Sequence, residues 1–352
     1  MADDELGPLA ARVPEMLRGS SAYHVPLPPK LYAKLDANEL PYPLPDELRA
    51  RLAEVLRAVP LERYPDPSAK RLRAAIAGQL GIAGDQLVFG NGSDELIAML
   101  ANAFAGPILY PSPTFVYYKL AAIARGLPVI EVPLGPRFEL DEAAIVRAIE
   151  TQRPSVVFLA LPNNPTGTLW RMGFALELAA KFRDTVIVSD EAYVAYSGVT
   201  NLPALAAHGN LVVMRTLSKI GMAGLRVGFT ISAPAIARVL EKVRPPYNVS
   251  ALDQAAATFL VEQGIAWCDA RASEVVAERA RLASGLAAKG LDVFASEANL
   301  VLVRVPDARA TWQRLADAGI SVRAFGDTGP LANCIRITVG TPAENAALLA
   351  AL

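Results

Sequence analysis

From Leu87 onward the chain sets down seven short apolar runs, most of them separated by helical patterns, and that alternation limits the fold more than any other feature. The runs cover residues 87–89, 108–110, 129–132, 156–160, 186–188, 211–214 and 227–231. Near-continuous apolar strands interleaved with helices predict a seven-stranded, largely parallel sheet covered on both faces, an α/β architecture. Ahead of it, Asp46 after Pro45 reads as the N-cap of an amphipathic helix carrying Leu48, Leu52, Val55 and Leu56. Asp66 before Pro67 reads the same way, with the helix closing near Gly81.

After Pro245-Pro246 the pattern changes. Alanine-rich helical stretches over 251–263 and 272–289 lead to strands at 300–305 and 334–339. The expected organisation is a proline-bearing arm over 1–35, a large domain over 36–245, and a small α/β domain over 246–352 against which the arm packs. A chain of 352 residues, 53% of them hydrophobic, can bury one large core and a second, smaller one.

Charge narrows the function. Charged residues make up 20% of the chain and the formal net charge is -1, so no nucleic-acid partner is expected. The acidic start, Met1-Ala2-Asp3-Asp4-Glu5, lacks the basic and apolar regions of a secretory signal. Apolar runs such as 96–100 are too short to span a bilayer. Cys268 and Cys334 are isolated, and His24 and His208 are the only histidines, so no metal set is expected. These features describe a cytoplasmic protein without membrane attachment.

Three polar strings stand where apolar runs stop: Asn163-Asn164-Pro165-Thr166-Gly167, Ser189-Asp190-Glu191-Ala192-Tyr193, and Arg215-Thr216-Leu217-Ser218-Lys219. In an α/β sheet, ligands sit beyond the carboxyl ends of the strands, so the three strings are expected to converge on one crevice. They bring an amide, a carboxylate with a phenol, and an amine, a set suited to a pyridine aldehyde. A fourth string, Phe89-Gly90-Asn91-Gly92-Ser93-Asp94-Glu95, passes from strand to helix through glycines and offers a helix start to an anion. It lacks the third glycine and the ribose-binding acid of a nicotinamide-binding fold.

Together with Leu35-Asp36-Ala37-Asn38-Glu39, Arg63-Tyr64-Pro65-Asp66 and Cys334-Ile335-Arg336-Ile337-Thr338, these strings resemble the aspartate-aminotransferase superfamily, the fold-type I enzymes that use pyridoxal 5'-phosphate (PLP). Within it the chain is most similar to the histidinol-phosphate aminotransferases, over nearly its whole length. The resemblance implies Lys219 as the amine that binds the aldehyde and shuttles the proton, and Asp190 as partner of the ring nitrogen. It implies Tyr193 and Asn164 at the phenolic oxygen and Phe115 stacked on the ring, where many members have tyrosine. For the phosphate it implies Gly92, Ser93, Asp94, Thr216, Ser218 and Arg226, with Tyr64 reaching across a homodimer interface. Arg226 stands one residue closer to the lysine than in much of the family.

The resemblance also implies Arg336 as the grip for substrate carboxylate or phosphate, with Arg323, Tyr23 and Asn164 beside it. The implied reaction converts L-histidinol phosphate and 2-oxoglutarate to imidazole-acetol phosphate and glutamate. Relatives with the same strings act on aromatic amino acids or decarboxylate threonine phosphate, and both readings stay open here. One departure is Leu40, which replaces an asparagine expected near the site entrance. A non-catalytic regulator on the same fold would carry a DNA-binding addition, for which the arm has no room.

Overall fold

The protein is described from a computed structural model that covers residues 4–13, 15–18, 28 and 30–352. Two sheets organise it. The first contains β2 (Leu87–Asn91), β3 (Ile108–Ser112), β4 (Val129–Pro133), β5 (Val156–Ala160), β6 (Val186–Asp190), β7 (Leu211–Thr216) and β8 (Val227–Ser232), in the order β2-β8-β7-β6-β5-β3-β4. All seven expected runs enter this one sheet. Only β8 runs antiparallel to its neighbours; every other pairing is parallel.

Side chains along β5 explain why it is apolar throughout. Val157 and Leu159 enter one core cluster, while Val156, Phe158 and Ala160 enter another on the opposite face. Successive strand residues point to opposite faces, so a sheet with helices on both sides needs both sets apolar.

The second sheet has the order β1-β11-β12-β10-β9, built from β1 (Ala33–Leu35), β9 (Asp292–Val293), β10 (Leu300–Arg304), β11 (Ile320–Ala324) and β12 (Cys334–Thr338). β1 lies parallel to β11, with Ala33 opposite Ile320. Ala33 and Leu35 are fully buried in the second sheet's core beside Ile335 and Ile337, while Lys34 between them is exposed. The last three residues read as arm are therefore a strand of this sheet. A three-residue run is too short to announce itself, and only the long-range pairing reveals it.

Three local expectations shift. Asp46 is the first residue of the helix Asp46–Arg57, its side chain makes no cap, and Pro45 holds the cap position. The next helix spans Lys70–Leu80 rather than starting at Pro67. Asp66 still accepts the backbone N–H groups of Ser68 and Lys70, both at 2.9 Å, so its carboxylate satisfies the helix start from further upstream. Gly81 closes that helix at φ 65°, as a left-handed cap requires. The long helix expected from Ala272 begins at Ile265, immediately after Gly264 ends the helix Ala251–Gln263.

Candidate active site

The carboxyl ends of β2, β3, β5, β6 and β7 face one edge of the first sheet, because these strands are mutually parallel. A cavity of about 140 Å³ opens there. Its lining includes Ser93 and Asp94 after β2, Phe115 after β3, Asn164 after β5, Asp190 and Tyr193 at β6, and Thr216, Ser218 and Lys219 at β7. Arg226 lines it too, from the beginning of β8. Since β8 alone runs backwards, its start and not its end lies at this edge, and register sets Asn91 opposite Val227 and Thr216 opposite Gly228.

That topology builds an anion cradle from three distant segments. The helix Gly92–Ala103 starts against Arg226, whose guanidinium lies 3.3 Å from Asp94 Oδ2 and 3.4 Å from Ser218 Oγ. Thr216 Oγ1 accepts the Ser218 N–H at 3.1 Å and lies 2.9 Å from Ser218 Oγ. Gly92 adopts φ 79°, and a Cβ there would stand 2.6 Å from Arg226 Nη2. A Cβ on Gly228 would meet the Gly92 carbonyl carbon at 2.8 Å and the Ser93 nitrogen at 2.9 Å. Gly228 is therefore required by close approach to backbone, and Gly92 by its left-handed φ. Free helix-start N–H groups, two hydroxyls and a guanidinium suit a phosphate.

Asp190, the last residue of β6, is buried, and its carboxylate accepts from Tyr118 Oη at 2.5 Å and from the Ala192 N–H at 3.1 Å. Burial pushes its pKa up to about 6, opposed by those two hydrogen bonds. Lys219 sits in the short turn Leu217–Ile220 after β7, where its Nζ donates to the Ala37 carbonyl at 3.2 Å. Removal from water, reinforced by the Arg336 charge, lowers its pKa to about 8. About a tenth of such amines are neutral at pH 7, the form in which an amine attacks an aldehyde.

The second sheet completes the site through the residues that follow β1. The Asp36 carbonyl accepts from Arg336 Nη2, and Asn38 Nδ2 donates to Tyr193 Oη at 2.9 Å. Arg336, buried on β12, also donates from Nη1 to Asn164 Oδ1 at 2.7 Å. That contact fixes the amide with its oxygen toward the arginine, leaving its N–H2 as a donor for the cavity. Arg323 on β11 stands directly across from Arg336 on β12. An amine, a buried carboxylate, an amide donor, a phenol and an anion cradle around one cavity fit PLP group by group.

Five expected residues, Gly92, Arg323, Arg336, Tyr64 and Tyr23, lie apart from the cavity lining or from the described chain. Gly92 and Arg336 touch lining residues. Tyr64 is 81% exposed and stacked on Tyr247, with ring centroids 4.6 Å apart. Tyr23 lies outside the described residues. Leu40 is not at an entrance: it is buried in the second sheet's core cluster, against Gly221 and beside Trp267. Sequence reasoning missed Tyr118, which lines the cavity, and assigned Asn38 no role. Phe115 and Tyr118 stand three apart at a helix start, a spacing that shares one face, and that was the available signal.

Comparison with known proteins agrees with this geometry. Residues 32–352 match the family described as aminotransferase class I and II. The chain is 45% identical over 327 residues to histidinol-phosphate aminotransferase 1 of Burkholderia lata, covering 91% of each. It is 44% identical over 337 residues to the histidinol-phosphate aminotransferase of Chromobacterium violaceum, covering 94% of each. Among solved structures, the histidinol-phosphate aminotransferase of Sinorhizobium meliloti in complex with pyridoxal-5'-phosphate superposes with a TM-score of 0.85 at 25% identity, covering 97% of this chain and 96% of that one. With the expected residues gathered on one cavity and the match running from β1 to the last residue, the chain belongs to the class I and II aminotransferases.

Proposed function

We propose that this protein is a PLP-dependent transaminase that moves the amino group of L-histidinol phosphate to 2-oxoglutarate, giving imidazole-acetol phosphate and L-glutamate in histidine biosynthesis. The observation that carries the substrate choice is the placement of Arg323 directly opposite Arg336 in an antiparallel pair. Two guanidinium groups carried by directly opposed strand positions could both donate to one dianionic group. A phosphate monoester satisfies two guanidinium groups; the same pair serves the carboxylate of glutamate in the return half-reaction.

PLP, when bound, supplies the electron sink for the pair left behind when the substrate's Cα–H bond breaks. The chain's residues do the rest. Lys219 Nζ, its basicity lowered by burial, takes the proton from Cα in its neutral form. Asp190 holds positive charge at the ring nitrogen, which strengthens the pull on that bond. Asn164 and Tyr193 orient the ring through its phenolic oxygen, while Arg336 ties Asn164 to the bound anion. Substrate binding and ring orientation are thereby linked through one guanidinium.

We further propose a cytoplasmic homodimer, with 36–245 as a cofactor-binding domain and 246–352 as a small domain joined by the arm. Tyr64, exposed and stacked on the exposed Tyr247, would be covered by a second copy and reach its phosphate cradle. The test is a donor panel with the purified holoenzyme and 2-oxoglutarate. Histidinol phosphate should yield glutamate at least about ten times more efficiently than phenylalanine. Faster turnover of phenylalanine, or carbon dioxide from threonine phosphate without glutamate, would overturn the assignment.

A further inference from the structure

Tyr118 is a fully buried tyrosine that no step above uses. Its ring stacks on Phe158 with centroids 4.5 Å apart and planes 10° apart. It also meets Phe115 edge-on, at 5.7 Å and 89°. For packing alone a phenylalanine would serve, as Phe158 does beneath it. The hydroxyl needs another explanation. Buried phenols find a partner, commonly a backbone carbonyl. This one donates at 2.5 Å to Asp190 Oδ2, a charge-assisted bond between two buried side chains.

We propose that Tyr118 is a positioning residue for the ring-nitrogen partner: through one side chain it fixes the Asp190 carboxylate in its charged form and sets the aromatic wall, Phe115, in register with it. Each Asp190 oxygen then holds one donor, Tyr118 on Oδ2 and Ala192 on Oδ1, and each keeps a lone pair for the cofactor. The inference rests on Asp190 facing the ring nitrogen. The electrostatics around Asp190 explain why a dedicated donor is needed. Glu191 beside it and Asp94 from the helix Gly92–Ala103 are both acidic, and Tyr193 is a neutral phenol. Burial and these two carboxylates oppose ionisation, while Tyr118 and the Ala192 amide support it. Loss of the hydroxyl leaves one donor against three opposing influences, so the proton shared between Asp190 and the ring nitrogen moves toward the carboxylate.

The experiment measures the nitrogen NMR shift of holoenzyme loaded with ring-labelled PLP across pH, together with PLP affinity, for wild type, Tyr118→Phe and Asp190→Asn. In Tyr118→Phe the ring nitrogen should lose its protonated signature at a pH about one unit lower than in wild type, and PLP affinity should fall roughly tenfold. A wild-type shift profile with affinity within about twofold would refute the positioning role. If Asp190→Asn leaves the nitrogen shift unchanged, the Asp190 reading itself is wrong. If Asp190→Asn moves it and Tyr118→Phe does not, only the Tyr118 inference falls. Should Tyr118→Phe fail to fold, fluorotyrosine at position 118 keeps the ring and strengthens the donor. It should extend the protonated signature to higher pH, and no movement would count against the proposal.

Discussion

Gly92→Ala tests the anion cradle with a single methyl group. Two costs can be worked from the structure. Gly92 has φ 79°, a left-handed conformation that an alanine occupies at about 1–2 kcal/mol. The new Cβ would also stand 2.6 Å from Arg226 Nη2, where ordinary contact begins at 3.4 Å, so the guanidinium must retreat by 3.4 − 2.6 = 0.8 Å. An arginine tip can make that move, but it starts only 3.3 Å from Asp94 and 3.4 Å from Ser218 and would leave both. If Arg226 contacts the cofactor phosphate, losing that charge-assisted bond costs about 1.5–3 kcal/mol, or roughly 10- to 150-fold in affinity. The two costs separate experimentally. Denaturant unfolding of the apoprotein reads the backbone strain, and equilibrium dialysis with PLP reads the cradle. Gly78→Ala, in a helix with nothing within 4 Å of the added carbon, is the control and should leave PLP affinity unchanged. Apoprotein destabilised as expected, yet binding PLP as wild type does, would remove Gly92 and Arg226 from the phosphate site.

Further expectations address the other groups. Lys219, with a pKa lowered from 10.5 to about 8, is neutral roughly 300 times more often at pH 7 than an ordinary lysine. The rate at which apoprotein captures PLP, followed by absorbance after rapid mixing, should therefore rise about tenfold per pH unit and level off near pH 8; a rise continuing to pH 10 would contradict the burial argument. Arg336→Ala should weaken both histidinol phosphate and glutamate by roughly 2–5 kcal/mol each in kcat/KM, and an effect confined to one substrate would contradict a shared grip. Leu40→Asn, which buries an amide in the second sheet's core, should cost about 1–3 kcal/mol in urea unfolding; no loss of stability would mean the side chain reaches water.

The sequence made the first sheet readable because its signal is local. Most of the seven runs are apolar on both faces (the edge run 129–132 carries the exposed Glu131), and each polar string begins where a run ends, so Asn164, Asp190 and Lys219 could be assigned to one crevice from the sequence. What stayed hidden depends on pairing across long stretches of chain. The reversal of β8, which delivers Arg226 to the cradle, cannot be read from a run of Val, Gly, Phe, Thr and Ile. β1 pairs with a strand almost 300 positions away. Tyr118 sat inside an apolar helical pattern where a core aromatic is the ordinary outcome, and only its partner, Asp190, distinguishes it. Leu40 was misplaced for the same reason: a motif position suggested a mouth, while packing against Gly221 decides a core.

The strip from Asp36 to Asn38 joins the two sheets at the chemistry itself. Its three successive residues meet Arg336, Lys219 and Tyr193 in turn. Arg336 belongs to the second sheet while Lys219 and Tyr193 follow strands of the first, so the strip ties one sheet's guanidinium to the other's amine and phenol. Trimming the chain past Leu35 would thus loosen the contacts of Tyr193, Lys219 and Arg336, which lie 155, 182 and 300 residues from their partners in the strip.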